Sequence, residues 1–298
     1  MTTPQLTALP HLAILDVTGD DAQAFLHAQV PSDIRTLNSE RAQISGWCTA
    51  KGRLLTTFVI WPIENGYRLV LAADVRDAIA KRLKMYVLRL KVQVTPASDL
   101  VYGLLQPDAT LANLPLPTTD WQVTRQGDIT AVRLDRIRAL LTGPESRLQA
   151  LASDMACASQ SDWLRADIAQ GFPLVTQATS EHYVPQMVNL DKLGGVSFKK
   201  GCYPGQEIVA RTHYLGKIKR HLYRVSSEQP LVSGAEVRSA VLNGQACGSL
   251  VSVAPAPDNT WLALAVLQQD AAEGAIYVQN GTDEQALKLV DQVLPEEA

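Results

Sequence analysis

The sequence predicts an α+β protein, on three observations. GRLLTTFVIWPIENGYRLVLAAD (residues 52–74) is two β-rich apolar runs around Glu64-Asn65-Gly66, and Asn-Gly is the strongest short hairpin signal because it tolerates positive φ. DVRDAIAKRLKMYVL, directly after, carries apolar residues at 75, 78, 79, 83, 86 and 87, the spacing of an amphipathic helix. Residues 219–295 change character and read as short strands alternating with turns.

The elements follow in order. HLAILDV is a strand, and DAQAFLHAQV a helix capped by Asp20 or Thr18. The hairpin comes next, then the helix after Asp74, which serves as its cap, then a strand in LKVQVTP. Residues 100–106 are a strand, NLPLPTTD a loop, WQVT and ITAVRL strands, and PESRLQALAS a short helix. Ser161 or Asp162 caps a helix over WLRADIAQ, with Gly171 at its C-terminal end. HLYRVS, AEVRSAVLNGQACGSLVSVA, WLALAVL and AIYVQN, with a turn at Asn243-Gly244, predict a small separate β-barrel or sandwich. The expected division is residues 1–217 and 218–298.

Composition excludes several classes. Of 298 residues, 46% are apolar and 19% charged, which argues for a large core and against disorder. The net charge of −3 argues against a general polyanion binder. No apolar run approaches the ~18 residues of a membrane span. The opening residues lack the marks of a signal or transit peptide, so a soluble cytoplasmic protein without membrane partners is expected. The four cysteines, Cys48, Cys157, Cys202 and Cys247, are widely spaced with no C-x-x-C, so no disulfide framework and no permanently bound metal are expected. Cys48, Cys157 and Cys247 are expected in the core.

KKGCYPGQEIVAR (199–211) sets a cysteine among turn formers. A helix opening near Gln206 would place unpaired N–H donors toward Cys202, and Lys199, Lys200 and Arg211 would add positive potential. Both favour thiolate over a thiol whose ordinary pKa is about 8.5. The residues alone leave two readings, a reactive exposed thiol and a small buried hydrophobe. Gly216-Lys217-Ile218 lacks the hydroxyl of a phosphate-binding loop, and nothing orients His213 or His221 toward the thiol. Residues 199–221 hold six cations against Glu207 alone, which reads as a solvated surface or as an anion site.

KGCYPGQE closely resembles the K-G-C-Y-x-G-Q-E signature of the YgfZ family, folate-binding GcvT-like proteins related to mitochondrial iron–sulfur assembly factors. VTGDDAQAFLHAQVPSDI, CTAKGRLL, IAQGFP, YVPQMVNLDKLGGVSFKKGCYPGQEIVAR and GKIKR match in order and spacing, covering about residues 10 to 220. The resemblance implies the glycine-cleavage T-protein fold, a three-lobed α+β body around a folate channel with a small C-terminal β-barrel. It implies folate-dependent maturation or repair of iron–sulfur enzymes, reaching tRNA thiolation through such an enzyme. It makes Cys202 the signature thiol, with Lys200, Tyr203, Gln206, Glu207 and Arg211 as its matched neighbours. It assigns Trp163, Lys51, Arg53 and Gln186 to binding of tetrahydrofolate or a derivative. Three positions depart from the pattern. Thr56 and Thr57 fall where aminomethyltransferases carry a catalytic aspartate, Ala169 replaces a glutamate that bonds the pterin, and Leu12 replaces an aromatic.

The expected function is a folate-binding accessory protein for iron–sulfur enzymes, without glycine-cleavage activity, whose partners are folate and iron–sulfur clients. The alternatives are a folate-dependent one-carbon transferase of unknown acceptor and an RNA-binding module using the 199–221 zone, of which the RNA-binding role is not favoured.

Overall fold

The computed structural model describes residues 4–107, 110–111, 114–153, 155–216, 218–280 and 283–293. The predicted hairpin forms between strands Leu54–Ile63 and Gly66–Ala72, turning through Asn65 at φ 59°. It sits at the centre of a five-stranded antiparallel sheet, ordered Gln43–Cys48, Leu54–Ile63, Gly66–Ala72, Leu12–Thr18, Gln93–Pro96. Helices α1 (Ala22–Gln29) and α2 (Arg76–Val87) cover one face. Phe25, Leu26, Ile79 and Leu83 pack there against Leu15, Phe58, Leu69 and Leu71.

A second, six-stranded sheet is ordered Val123–Gln126, Ile129–Asp135, Arg138–Gly143, Leu100–Leu105, Gln5–Ala8, Ala156–Cys157. Its strand Gln5–Ala8 pairs antiparallel with Leu100–Leu105 and parallel with Ala156–Cys157. Helix α3 (Glu145–Ser153) packs Leu148 against this sheet, and α4 (Gln160–Ala169) lays Trp163 over its other face. The third unit is a closed barrel of strands Arg220–Ser227, Trp261–Gln268, Gln245–Pro255, Glu236–Ser239, Ile276–Asn280 and Asp283–Gln292. Asn243 and Gly244, both at positive φ, make the expected turn.

The barrel is not separate in its packing. Leu222, Val251, Leu264, Val266 and Val293 share one core with Ile44, Leu54, Ile168, Tyr183 and Val209. The outer face of these strands is apolar and needs cover from the body.

The expected caps are corrected. Asp21, not Asp20 or Thr18, precedes α1, and its carboxylate accepts the Lys91 N–H at 2.8 Å. Asp74 accepts the Gln177 N–H at 3.0 Å instead of capping α2. Ser159 caps α4 in a reciprocal capping box with Asp162. Asp21 and Asp74 are drawn to backbone N–H groups distant in sequence, whereas Ser159 caps within its own turn. Gly171 follows α4 at φ 63°, as expected.

Candidate functional site

Two of the matched stretches meet through glycines. Gly205 (φ 83°) precedes helix α5 (Gln206–Tyr214) and lies against the turn Thr49–Arg53. A Cβ on Gly205 would come within 2.4 Å of the Thr49 carbonyl oxygen and 2.7 Å of Gly52 Cα. Gly52 (φ 70°) is equally tight, its Cβ position 3.0 Å from Ile208. No side chain fits this seam, and only glycine takes both backbone conformations without strain.

Above the seam Cys202 is exposed, three residues before Gly205. Tyr203 turns inward and is buried, and its N–H donates to Gln206 Oε1 at 3.2 Å. Gln186, buried beneath, donates from Nε2 to the Val209 carbonyl at 2.7 Å and so grips α5 from inside. Glu207 and Arg211 are exposed on the helix, with Glu207 in the first turn, where a carboxylate suits the helix dipole. Lys51 is exposed on the turn, and the Arg53 guanidinium donates to the His182 carbonyl.

Lys200 does not add its charge to the Cys202 loop as expected. Its Nζ donates to the carbonyls of His27, Val30 and Ser32 at the C-terminal end of α1, at 2.6 Å for Val30 and 3.2 Å for Ser32. Cations are favoured there because the last helical carbonyls lack partners. Burial lowers its pKa to about 8. Lys200 is therefore an anchor that ties the thiol loop to α1. Of the basic zone, Lys217 lies outside the described residues, and Lys199, Arg211 and Lys219 are exposed. Cys48 and Cys247 are buried as expected, with burial pushing their thiols up to about 12 and about 11. Cys157 is exposed, on a two-residue edge strand, and corrects the expectation of a core position.

Trp163 lies elsewhere, 1% exposed, with its ring flat on Gly103, where a Cβ would fall 2.2 Å from the indole. Arg138 stacks over the same indole at 5.8 Å. Trp163 lines an inner cavity of about 20 Å³, room for about one water. Thr57, Leu12 and Asp167 share that wall. The Thr57 hydroxyl donates to the Pro173 carbonyl at 2.8 Å and accepts from Val175 N–H at 3.0 Å. Thr56 is likewise buried, its hydroxyl turned to the Thr57 carbonyl at 3.2 Å. Ala169 is exposed at the end of α4, and its carbonyl accepts from Arg224.

A larger cavity of about 290 Å³ lies between α4, the five-stranded sheet and the barrel, with Asp167 and Leu174 common to both cavities. His11, Asp74, Gln160 and Ser252 line it. His11 Nδ1 bonds Gln160 Nε2 at 2.8 Å, while His11 Nε2 and the Ser252 hydroxyl are buried without a partner. Burial lowers the His11 pKa to about 4, so the ring is neutral at pH 7. Asp167 shares Arg138 with Asp135, which takes Arg138 Nε at 2.8 Å and Nη2 at 2.6 Å. Burial pushes the Asp167 pKa up to about 7, with Arg138 opposing and Asp135 reinforcing the shift. A third cavity, also about 290 Å³, opens between His182, Tyr183 and the barrel residues Arg220 and Ser249. Cys202, Lys51, Arg53 and Gln186 line neither of the first two cavities. The matched residues thus fall into two places, the seam beneath Cys202 and the buried wall around Trp163.

No family model matches the chain. Among solved structures, the glycine cleavage system aminomethyltransferase T from Bartonella henselae superposes with a TM-score of 0.70 at 17% sequence identity, over 99% of this chain and 86% of that one. The fold is that of a T-protein. Within a T-protein fold, the two sheets and the closed barrel are its lobes, and the larger cavity lies where sheet, α4 and barrel converge.

Sequence reading missed His11, Asp135, Arg138 and Asp167. One signal was present. Asp167 lies four residues after Trp163 in a helix, hence on the same face, and a carboxylate beside a buried tryptophan requires a partner. Among the described residues, no group of three or more His, Cys, Asp or Glu side chains is placed to hold a metal ion.

Proposed function

We propose that this chain is a folate-binding accessory protein of the YgfZ type. It serves assembly or repair of iron–sulfur enzymes, with Cys202 as its working thiol, and it touches tRNA thiolation through such an enzyme. The observation that carries the reading is the glycine seam between CTAKGR and KGCYPGQE, which holds the matched cysteine at the surface of a T-protein fold.

The larger cavity fits folate by its chemistry. Its volume is at the low end for small-molecule pockets. Its buried polar atoms without partners, His11 Nε2 and Ser252 Oγ, require a ligand or water. His11, Gln160, Asp167 and Ser252 would hold the amide and amino groups of a pterin, and tetrahydrofolate bound there would supply a one-carbon carrier. Aminomethyl transfer is not part of the reading. Thr57 offers a hydroxyl already committed to two backbone groups, and a hydroxyl supplies no negative charge for a cationic amine. The RNA-binding alternative loses a cation, because the Lys200 ammonium is spent on three carbonyls.

Calorimetric titration with tetrahydrofolate tests the cofactor. Micromolar binding, weakened about tenfold or more in Asp167→Asn, is expected from loss of one charge-assisted hydrogen bond. Absence of binding in the wild-type protein would remove folate from the reading. Cys202→Ser, expressed in a strain lacking the protein, tests the thiol. Client iron–sulfur activity should stay low, and full restoration would exclude the thiol role.

A further inference from the structure

We propose that the exposed side of α2 and the turn after it form a docking surface for an acidic amphipathic helix of a partner protein. Helix α2 buries Ile79, Ala80 and Leu83 against the sheet. On the opposite side Met85 is 65% exposed; at the edge of the buried face Tyr86 is 42%, and in the turn after the helix Leu88 is 87% and Leu90 41%. Four large apolar side chains standing in solvent within six positions mark an interaction site. Leu88 has φ 50°, a conformation that costs a β- or γ-branched residue about 1 kcal/mol or more. The fold holds it there with its side chain outward.

The charge around this patch has one sign. From Ala78 to Ser98 the sequence has no Asp or Glu, while Lys81, Arg82, Lys84, Arg89 and Lys91 interleave with the apolar residues. Arg82 reaches Glu181 at 3.5 Å and Lys91 reaches Asp20 at 3.0 Å. Lys81, Lys84 and Arg89 have no ion pair among the described residues. Charge complementarity therefore asks for an acidic partner.

Ala78, Lys81 and Met85 recur at steps of three and four along α2, the spacing of a ridge that a second helix packs against, and Leu88 stands just past the helix end. The flanking lysines would meet its glutamates as they do across a coiled coil. The surface is also preorganised. Tyr86 stands edge-on to Trp47 at 5.9 Å, and Arg82 lies over the same indole at 5.8 Å. Asp77, Glu181 and Asp20 at the rim are matched by Arg76, Arg82 and Lys91, so none of them opposes an acidic partner. The proposal stands apart from the folate reading, since none of these residues lines the folate cavity.

The test uses the full chain and three probes: a labelled synthetic helix of leucine and glutamate in heptad order, its lysine-for-glutamate counterpart, and phosphatidylglycerol vesicles. The glutamate helix should bind, and more weakly as salt rises. Met85→Ser with Leu88→Ser, and separately Lys81→Glu with Lys84→Glu, should each weaken it about tenfold or more. All four positions are exposed, so an unchanged melting temperature shows that the fold is retained. The lysine helix and the vesicles should not bind. Equal binding by wild type and variants, no binding of the glutamate helix, or capture by vesicles in its place would each overturn the proposal.

Discussion

His11 and Asp167 face one cavity with their pKa values displaced in opposite senses, and that fixes how stability depends on pH. Asp167 in the fold holds its proton up to about 7 against 3.8 unfolded, so its contribution is present below about pH 4 and lost as pH rises through 7. His11 in the fold refuses a proton until about 4 against 6.5 unfolded, so its contribution is present above about 6.5 and lost as pH falls toward 4. His11 is worth up to about 3 kcal/mol and Asp167 up to about 4, and between pH 4 and 6.5 their slopes oppose one another. Asp167→Asn should leave a protein that loses stability on acidification, and His11→Gln one that loses it as pH rises from about 4 to about 7. Urea midpoints across that range measure both slopes, and slopes of the same sign in the two variants would refute the assignment. At this scale the sequence was readable only in part. Cys202 announced itself by its neighbours, which left an exposed and a buried thiol both open, and the fold exposes it. The Asp135–Arg138–Asp167 cluster joins residues from two neighbouring strands and a helix, and only the fold brings the helix residue to the other two.

Among the elements, the seam under Cys202 is the most sensitive to small change. Gly205→Ala puts a methyl 2.4 Å from the Thr49 carbonyl and asks alanine to take φ 83°. A loss of about 1–3 kcal/mol, or more if the turn moves, is expected in chemical denaturation. A Gly205→Ala protein as stable as wild type would mean the two motifs do not touch. Lys200→Met leaves three carbonyls at the end of α1 without their cation, at a cost of about 1–3 kcal/mol, and should speed labelling of Cys202 as the loop detaches. Unchanged labelling would show that the loop is held by other means. The hairpin at Asn65 and the end of α4 at Gly171 were legible because positive φ leaves a chemical mark in the sequence. The caps of α1 and α2 were not, because Asp21 and Asp74 spend their carboxylates on backbone N–H groups of distant loops. The strand Gln5–Ala8 escaped for a similar reason, since four residues carry too little alternation to declare themselves.

For the whole molecule, the barrel was legible from its turn residues, but its dependence on the body was not. Strands Gln245–Pro255 and Trp261–Gln268 turn apolar residues outward as well as inward, and Val251, Leu264 and Val266 pack into the core of the body. We propose the division at residue 217 as a boundary of sequence rather than of stability. Residues 1–217 expressed alone should aggregate or expose dye-binding apolar surface, and a cooperative thermal transition of that piece would refute the shared core. In the intact native protein, the two exposed thiols, Cys157 and Cys202, should react with a thiol reagent, and Cys48 and Cys247 only after unfolding. The placement of Gln5–Ala8 inside the second sheet bears on how the chain is made. Its hydrogen-bonding neighbours are Leu100–Leu105 and Ala156–Cys157, so a ribosome must release more than half of the chain before this strand has both its partners. The barrel waits longer, because Asp283–Gln292 is the strand that closes it onto Arg220–Ser227. Until then the apolar walls of both units stand open, and a growing chain of this protein is a natural client for chaperones that hold nascent polypeptides.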